Sequence, residues 1–399
     1  MELNLFSSPL VINVACAIFY VTAGLLLYTW LLYPAMLAIL PARPRKASSG
    51  SHISIQQHPF VSIVIAAYNE EDVIEAKIRS FLADTYPGMS ELLIVSDGST
   101  DRTVEIATRF ISDRVRLFAQ STNRGKGAAL ALAVPRARGE ILVFTDATSV
   151  FAPQTLIELV RPFADRSVGL VTGRVRVEGC PVAGLYRRYE DVIEQFEQRG
   201  GVISTAHGCV YALRRSLWCQ HDPRLTNDFF HPILVNLRGF DVVVVPEAVC
   251  TENYCPDSKI QFHRQVRMVA LAAFVYFKYL PVLLFAAKWR PLFILTSHKL
   301  MRWLTVPFLA LLGIALSCLV GQGMIYTAAF CAELIFVAAV VMGALVKRFG
   351  LHSRLSLVVE FVILNWGGTL GLWEAGRGHL PTVWKTTPAT SVTHATSLS

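Results

Sequence analysis

The sequence is poor in charged side chains and has no clustered cysteines. Only 17% of its 399 residues are charged, whereas 53% are hydrophobic, a balance too apolar for an ordinary soluble domain. The eight cysteines form no CxxC pair and no cluster with histidine. This pattern argues against a metal site or a disulfide framework, and it is typical of reduced packing residues in a cytosol-facing domain.

Two further absences limit the function. The net charge is +8, but no dense basic block with interleaved aromatic residues accompanies it, so the sequence does not indicate nucleic-acid binding. The positive charge is better explained by the cytoplasmic face of a membrane. The loop from Asn123 to Gly127 lacks the glycine spacing and the Ser/Thr of a P-loop. Lys126 in this loop is either a phosphate ligand at a helix start or a solvated turn lysine.

Apolar residues are concentrated at the two ends of the chain. Leu10 to Tyr33 is long enough to cross a bilayer, and the basic residues at 43–46 predict that the chain after them lies in the cytoplasm. Trp303 to Val320 and Ile325 to Val346 are predicted spans. Leu355 to Trp373 is interrupted by Glu, Asn and paired Gly residues, which favours an interfacial or re-entrant segment. We therefore expect an integral protein of a bacterial inner (plasma) membrane.

The middle of the chain alternates short apolar strands with helices. This alternation predicts an α/β fold with a mostly parallel, doubly wound sheet. The predicted strands are 61–67, 91–96, 115–119, 141–145, 168–172, 208–213 and 241–245.

Polar residues follow these strands where ligands bind in such sheets, beyond the carboxyl ends. Asp146 follows one strand, Asp97 ends another, and Tyr68 to Glu70 follows the first; Asp228 opens a later helix. Each carboxylate alone is weak evidence, because a lone strand-end Asp is commonly a turn or cap residue, and Thr226 or Asn227 offers a cap at Asp228. Together they suggest a nucleotide-diphosphate site that uses Mg²⁺ or Mn²⁺.

Residues 61–270 resemble the membrane-bound family 2 glycosyltransferases, the GT-A group that includes cellulose, hyaluronan and poly-N-acetylglucosamine synthases. The matching motifs are Val61-Ser-Ile-Val-Ile-Ala-Ala-Tyr-Asn-Glu70, Ser96-Asp-Gly-Ser-Thr-Asp101, Asn123-Arg-Gly-Lys-Gly127, Thr145-Asp-Ala-Thr148, Thr226-Asn-Asp228, and Gly239 with Pro246-Glu-Ala248. The resemblance implies a GT-A fold and an inverting sugar transfer from a nucleotide sugar.

The resemblance also assigns roles to residues. The general base would be Asp228, which would take a proton from the acceptor hydroxyl. The metal would be held by Asp146 and Thr148. The nucleoside and diphosphate would be bound by Tyr68, Glu70, Asp97, Lys126, Asp146, Arg264 and Arg267.

Three departures from the family pattern bear on these roles. Thr148 replaces the second Asp of the usual Asp-x-Asp, which predicts weaker metal binding. Asn227 replaces the acidic residue before the base. The Gln-x-x-Arg-Trp motif appears as Arg264 to Met268, without the Trp that would stack on a sugar, so processive synthesis is in doubt. The two arginines of this motif serve either the diphosphate or lipid headgroups.

We therefore expect an N-terminal transmembrane helix (1–46), a linker (47–58), a GT-A domain (59–258), interface helices (259–296), a C-terminal transmembrane region (297–376) and a polar tail (377–399). The leading hypothesis is an inverting glycosyltransferase with a cytoplasmic catalytic domain. Its expected partners are a nucleotide sugar (UDP-sugar by preference), a glycan or lipid-linked acceptor, the lipid bilayer, and export or accessory subunits. The alternatives are a polyprenyl-phosphate sugar synthase and a non-catalytic GT-A-like binding subunit.

Overall fold

A single eight-stranded sheet forms the centre of the molecule, in the order β3-β2-β1-β4-β7-β6-β8-β5. The computed structural model describes residues 8–39, 58–178, 181–253, 257–349 and 355–383. The basic residues at 43–46, most of the predicted linker and the end of the tail therefore lie outside the described residues. The strands are β1 Val61–Ala67, β2 Ser90–Asp97, β3 Val115–Gln120, β4 Ile141–Phe144, β5 Val150–Phe151, β6 Val168–Glu178, β7 Tyr211–Arg214 and β8 Asp241–Asn253.

The first four strands form the parallel half of the sheet. β1 pairs in parallel with β2 and β4, and β2 with β3. Every residue of β1 is buried, because alternate side chains pack into cores on both faces. Ile63 and Ile65 contribute to one core, and Val64 and Ala66 to the other. Burial on both faces explains why this strand is a continuous apolar run rather than an alternating one.

The other half of the sheet departs from the predicted arrangement. β7 is antiparallel to both β4 and β6, and β5 is antiparallel to β8, so the sheet is mixed although parallel pairs are in the majority. β7 begins at Tyr211, three residues after the predicted start at Gly208, and β6 and β8 extend well beyond their predicted ends. Strand direction depends on the path of the connections, which local hydrophobicity does not record.

The helices that cover this sheet are α3 Ile74–Leu82, α4 Thr103–Thr108, α5 Lys126–Ala133, α6 Thr155–Val160, α7 Pro181–Glu197 and α8 Asn227–Leu237. The helices outside the sheet domain are α1 Pro9–Leu27, α2 Tyr33–Ile39, α9 Ser258–Phe285, α10 Trp289–Ile294, α11 Met301–Trp303, α12 Thr305–Leu319, α13 Met324–Arg348 and α14 Ser356–Gly376.

Within the described residues, three helical stretches are long and apolar enough to cross a membrane. They are Pro9–Ile39, Ser258–Phe285 and Met324–Val346. Trp289–Trp303 and Thr305–Leu319 qualify only as a pair, bent by 58°. The predicted span from Trp303 to Val320 corresponds to α12, whose 15 residues are short for a complete crossing on their own.

α9 qualifies by length and composition, and it packs mainly along α14 while one part of it also contacts the sheet domain. Val269 and Tyr276 belong to one core with Phe229 and Phe230 of α8, and Lys278 forms an ion pair with Asp222 at 3.6 Å. These contacts suit the interface helix that the sequence predicts. The course of α9 relative to the bilayer stays a prediction.

A buried polar cluster joins the sheet domain to the apolar helices. We call Tyr33, Glu190, Glu197, His298 and Arg302 the junction cluster. The Glu197 carboxylate accepts a hydrogen bond from the Tyr33 hydroxyl at 2.8 Å and lies 2.6 Å from His298 Nδ1. Glu190 contacts His298 Nε2 at 3.1 Å and pairs with Arg302. α7 thus contributes carboxylates at a helical spacing of seven residues to one docking surface.

The segment after α14 returns to the sheet domain. A Cβ atom on Gly125, whose φ is +90°, would lie 2.3 Å from the carbonyl oxygen of Thr382. Because this approach leaves no room for a side chain, glycine is required there. Thr382 therefore lies against the loop that carries Gly125, and the interfacial or re-entrant course of the helix before it stays a prediction.

Candidate active site

The loops after β1 and β2 are tied together at the edge of the sheet. Asn69 adopts a left-handed conformation (φ 54°), and its side-chain oxygen accepts a hydrogen bond from the backbone N–H of Thr100 at 2.8 Å. The backbone N–H of Glu70 donates to the Thr103 hydroxyl at 2.8 Å. These bonds hold Tyr68, which is half-buried, and Glu70 at the carboxyl ends of the parallel strands.

Glu70 lies in a setting that disfavours its charge. Burial, followed by the negative charges of Asp146, Asp101 and Asp72, raises the pKa of Glu70 to about 7. This carboxyl therefore changes its charge near neutral pH, unlike a solvated glutamate.

Asp97 is fully buried and holds the loop that carries Lys126. Its Oδ1 accepts a hydrogen bond from the backbone N–H of Arg124 at 2.9 Å, and its Oδ2 accepts one from Gly125 at 2.7 Å. The structure thus gives Asp97 a positioning role towards this loop. Its predicted contact with a nucleoside stays a prediction.

Three predicted residues converge on Gly208. Lys126 Nζ donates to Asp146 Oδ1 at 2.5 Å and lies 3.4 Å from the Gly208 carbonyl oxygen. A Cβ atom on Gly208 would lie 3.1 Å from Asp228 Oδ2. The loop lysine and the helix-start carboxylate therefore both approach Gly208, and the strand-end carboxylate is joined to them through Lys126. The Asp146 carboxylate also raises the pKa of Lys126, against the lowering effect of its burial.

Asp228 is not explained as a helix cap. Thr226 is the N-cap residue of α8, but its hydroxyl donates to Asp228 Oδ1 at 2.5 Å and accepts no capping hydrogen bond from a backbone N–H. Asn227 is buried, and its side-chain oxygen lies 2.6 Å from His221 Nε2. Asn227, which stands where the family has an acidic residue, thus supports the loop before α8. Asp228 is half-buried beside Gly208.

The turn after β4 has a half-buried lysine beneath it, which the sequence interpretation missed. Lys77 Nζ donates to Thr145 Oγ1 at 2.9 Å and to the Ser149 carbonyl at 2.6 Å. Burial lowers the pKa of Lys77 to about 8, although Cys250 and Asp146 raise it. The signal was a lone lysine on the buried face of α3, between Ile74 and Ile78.

A further carboxylate, Glu252 near the end of β8, was also missed. Burial and then the charge of Asp146 raise the pKa of Glu252, while Arg264 and Lys126 lower it. Arg267 lies within electrostatic reach of Asp228 and Asp146. Both arginines of α9 thus lie within electrostatic reach of site carboxylates, and their binding of a diphosphate or of lipid headgroups stays a prediction.

Asp146 and Thr148 fit a weakly held divalent cation. Asp146 is 36% exposed, and the Thr148 side chain is exposed on the same turn. One carboxylate with a hydroxyl is a donor set that Mg²⁺ or Mn²⁺ accepts when phosphate oxygens complete the shell. Cation binding here would therefore depend on the phosphate oxygens of the substrate more strongly than binding at a site with two carboxylates.

A second group of metal-type ligands is an ion-pair network. Among the described residues, Asp191, Glu194 and His207 are the three side chains close enough to share an ion. The Arg187 guanidinium lies among them, 2.8 Å from Asp191, 3.0 Å from Glu194 and 2.9 Å from His207 Nε2. Despite burial, His207 and Arg187 hold the pKa of Glu194 well below its usual range.

Comparison with known proteins identifies the sheet domain. Residues 62–219 match the model of the family named Glycosyl transferase family 2. The chain carries a family 2 glycosyltransferase domain. The sheet order, the strand-end carboxylates and the helices on both faces all belong to the matched region or directly continue it.

Curated relatives of the family 2 domain include two bacterial proteins. A probable glycosyltransferase of Bacillus subtilis (strain 168), YdaM, is 27% identical over 247 residues, which cover 57% of this chain and 58% of the relative. A poly-beta-1,6-N-acetyl-D-glucosamine synthase of Staphylococcus aureus (strain MSSA476) is 26% identical over 212 residues, 50% of this chain and 51% of the relative. The alignments thus span little more than half the length of these relatives.

A solved structure shares the fold over most of the chain. The mannosyltransferase PcManGT of Pyrobaculum calidifontis, solved in complex with GDP-Man and Mn²⁺, has a TM-score of 0.66 and 20% identity. The match covers 91% of this chain and 98% of PcManGT. It confirms the GT-A fold, and it extends beyond the family 2 domain into the helices that come after it.

Proposed function

We propose that this chain is an inverting glycosyltransferase that moves a sugar from a nucleotide sugar to an acceptor hydroxyl at the cytoplasmic face of a bacterial membrane. The observation that carries the proposal is the convergence of Lys126, Asp146 and Asp228 around Gly208. A cation, a metal-type carboxylate and a separate carboxylate are the groups required to bind a diphosphate and to deprotonate an acceptor.

Asp228 would act as the general base. The short bond from Thr226 orients its Oδ1, and Oδ2 faces Gly208, where a small residue leaves space for an incoming hydroxyl. An ionised carboxylate that faces the acceptor opposite the leaving diphosphate removes the proton as the new bond forms. A single displacement of this kind inverts the anomeric centre.

The diphosphate would be bound by Lys126, Arg264 and Arg267. Guanidinium groups form paired hydrogen bonds to phosphate oxygens, and the lysine adds a compact charge. Mg²⁺ or Mn²⁺, held by Asp146 and Thr148, would supply neutralisation of the charge on the leaving diphosphate when bound. Tyr68 and Glu70, at the ends of the parallel strands, would contact the nucleoside.

A lipid-linked acceptor, or a polymer exported with help from other subunits, suits the position of the site. α9 carries both arginines and is itself apolar enough to enter a membrane, which supports a site beside the bilayer. We favour this acceptor class and a UDP-sugar donor. Synthesis of a polyprenyl-phosphate sugar is the alternative within the same chemistry.

The decisive experiment is nucleotide release by the full chain in nanodiscs, from a panel of nucleotide sugars with Mg²⁺, with Mn²⁺ and with chelator. Metal-dependent release from one donor, lost in Asp228→Asn, is the expected result. No release from any donor, with crude lipid acceptors present, would instead favour the non-catalytic binding subunit that Thr148 suggests.

A further inference from the structure

Asp146 is flanked by two lysine side chains of different character. Lys126 contacts its carboxylate directly at 2.5 Å. Lys77 instead binds the two ends of its turn, Thr145 and Ser149, whose hydroxyls also bond each other at 2.9 Å. Lys77 therefore stabilises the turn that carries Asp146 without contacting its carboxylate. Among the described residues, Lys126 is the side chain that binds the carboxylate itself.

Lys77 is fixed in place, whereas Lys126 is able to move. Lys77 Nζ has two acceptors within 2.9 Å and lies 4.7 Å from the centre of the Phe151 ring. Lys126 has Asp146 as its one close acceptor in the described part of the chain, since 3.4 Å to the Gly208 carbonyl is at the limit of a hydrogen bond. Its side chain is 29% exposed. The ion pair with Asp146 is therefore weak, and breaking it should change the affinity of a competing cation for Asp146 by only about fivefold.

An ammonium group and a divalent cation require the same carboxylate here. Because Thr148 replaces the second carboxylate of the turn, a cation that loses Asp146 has no other charged ligand on that turn. Lys126 lies at the first position of α5, next to the Gly125 contact with Asp97, so its backbone stays anchored while its side chain changes partner.

We propose that Lys126 is the exchangeable counter-ion of Asp146. It neutralises the carboxylate in the donor-free protein, releases it when a divalent cation arrives with a nucleoside diphosphate, and then binds a diphosphate oxygen. The last of these steps rests on the proposed function. The exchange makes Lys126 a donor-binding residue that also suppresses metal binding in the absence of donor.

This role predicts opposite effects from one substitution. Loss of the ammonium group frees Asp146 and strengthens binding of Mn²⁺ alone. The same loss removes a diphosphate contact and weakens binding of the nucleotide when Mn²⁺ is saturating. A lysine that merely holds its loop in place would weaken both kinds of binding or neither.

The first measurement is Mn²⁺ binding to the donor-free full chain in nanodiscs, monitored by the electron paramagnetic resonance signal of free Mn²⁺. Lys126→Gln and Lys126→Met should each bind Mn²⁺ about fivefold more tightly than the wild type. Asp146→Asn should remove this binding, which assigns it to the site. Arg124→Gln removes one charge from an exposed side chain of the same loop and should leave the affinity within about twofold.

The second measurement is binding of UDP and of GDP at saturating Mn²⁺, using whichever the wild type binds more tightly. Lys126→Gln should weaken this binding about tenfold, and Lys126→Arg, which keeps the charge, should retain most of it. Mn²⁺ affinity that is unchanged or reduced in both neutral variants, or equally raised by Arg124→Gln, would overturn the exchange, as would an absence of Mn²⁺ binding in wild type and variants alike.

The result separates from a failure of the proposed function. Tighter Mn²⁺ binding in the variants, without turnover of any nucleotide sugar by the wild type, would retain the competition for Asp146 and reject the transferase. Turnover without tighter Mn²⁺ binding would retain the transferase and reject the exchange.

Discussion

The Lys126–Asp146 pair and the junction cluster contrast in how tightly their charges are held. The pair is partly exposed and rests on one close contact, whereas Glu197 of the junction cluster is buried and accepts from Tyr33, His298 and the Ser204 backbone N–H. An exposed pair contributes little to stability, but a buried charge that loses a partner is costly. The site therefore keeps its charges exchangeable, and the junction uses its charges to hold the domain.

Among the substitutions at the active site, where the charges are exchangeable, Asp228→Asn should have the largest effect. Removal of the general base should lower the rate of sugar transfer at least about 10³-fold, while the affinity for the nucleotide changes little. Rates and donor affinity are measured side by side in nanodiscs. Thr226→Val is the matched variant: it removes only the bond that orients Asp228, and should lower the rate by about tenfold. Near-normal turnover in Asp228→Asn would assign the base elsewhere.

In the junction cluster, Glu197→Gln should have the largest effect on stability. The neutral amide no longer satisfies the groups that point at it, so we expect a loss of about 3 kcal/mol in the free energy of unfolding, seen as a lower midpoint of thermal unfolding in detergent. Glu75→Gln breaks the exposed Glu75–Arg79 pair and should cost under about 0.5 kcal/mol. Equal losses in the two variants would erase the distinction between the two clusters.

Thr148→Asp would restore a second carboxylate to the turn that carries Asp146. A cation at the active site would then be held more tightly, which reduces the contrast with the junction cluster. The concentration of Mn²⁺ that half-saturates the protein should fall about tenfold, because hard divalent cations prefer carboxylate oxygen to hydroxyl. Thr148→Asn, which has the same shape as the aspartate without its charge, is the control. If the two variants bind Mn²⁺ equally, then Thr148 does not face the cation.

The smallest expected effect is a pH dependence at Glu70. Since burial and the neighbouring carboxylates raise its pKa to about 7, the side chain ionises between pH 6 and 8 and then accepts a hydrogen bond from a ribose hydroxyl. Nucleotide affinity should rise about threefold across this range, and Glu70→Gln should flatten the change.

The raised pKa of Glu70 also predicts how stability changes with pH. The folded protein holds the Glu70 proton more tightly than the unfolded chain, whose pKa is near 4.5. Stability should therefore fall as the pH rises from about 4.5 to 7, and Glu70→Gln should reduce this fall. A stability profile that is identical in the variant would contradict the strained setting of this carboxyl.

Much of the site was predictable because strand ends of a parallel sheet meet at one edge. Asp97, Asp146 and the residues after β1 were expected together on that basis, and the fold confirms the arrangement of the strands. The partner of Lys126 was not predictable, since a phosphate ligand and a solvated turn lysine look alike in sequence. Lys77 and Glu252 escaped notice because neither lies in a recognised motif, and their significance comes from a half-buried position within electrostatic reach of Asp146.

The α/β domain, the apolar character of both ends and the chemical types at the site could all be read from the sequence, because periodicity and strand-end position are local properties. Tertiary packing was needed to establish the antiparallel placement of β7, the bend before α12, the return of Thr382 to Gly125 and the pairing of Lys126 with Asp146. Each of these depends on residues far apart in the chain, whose contacts arise from packing and charge compensation rather than from local preference.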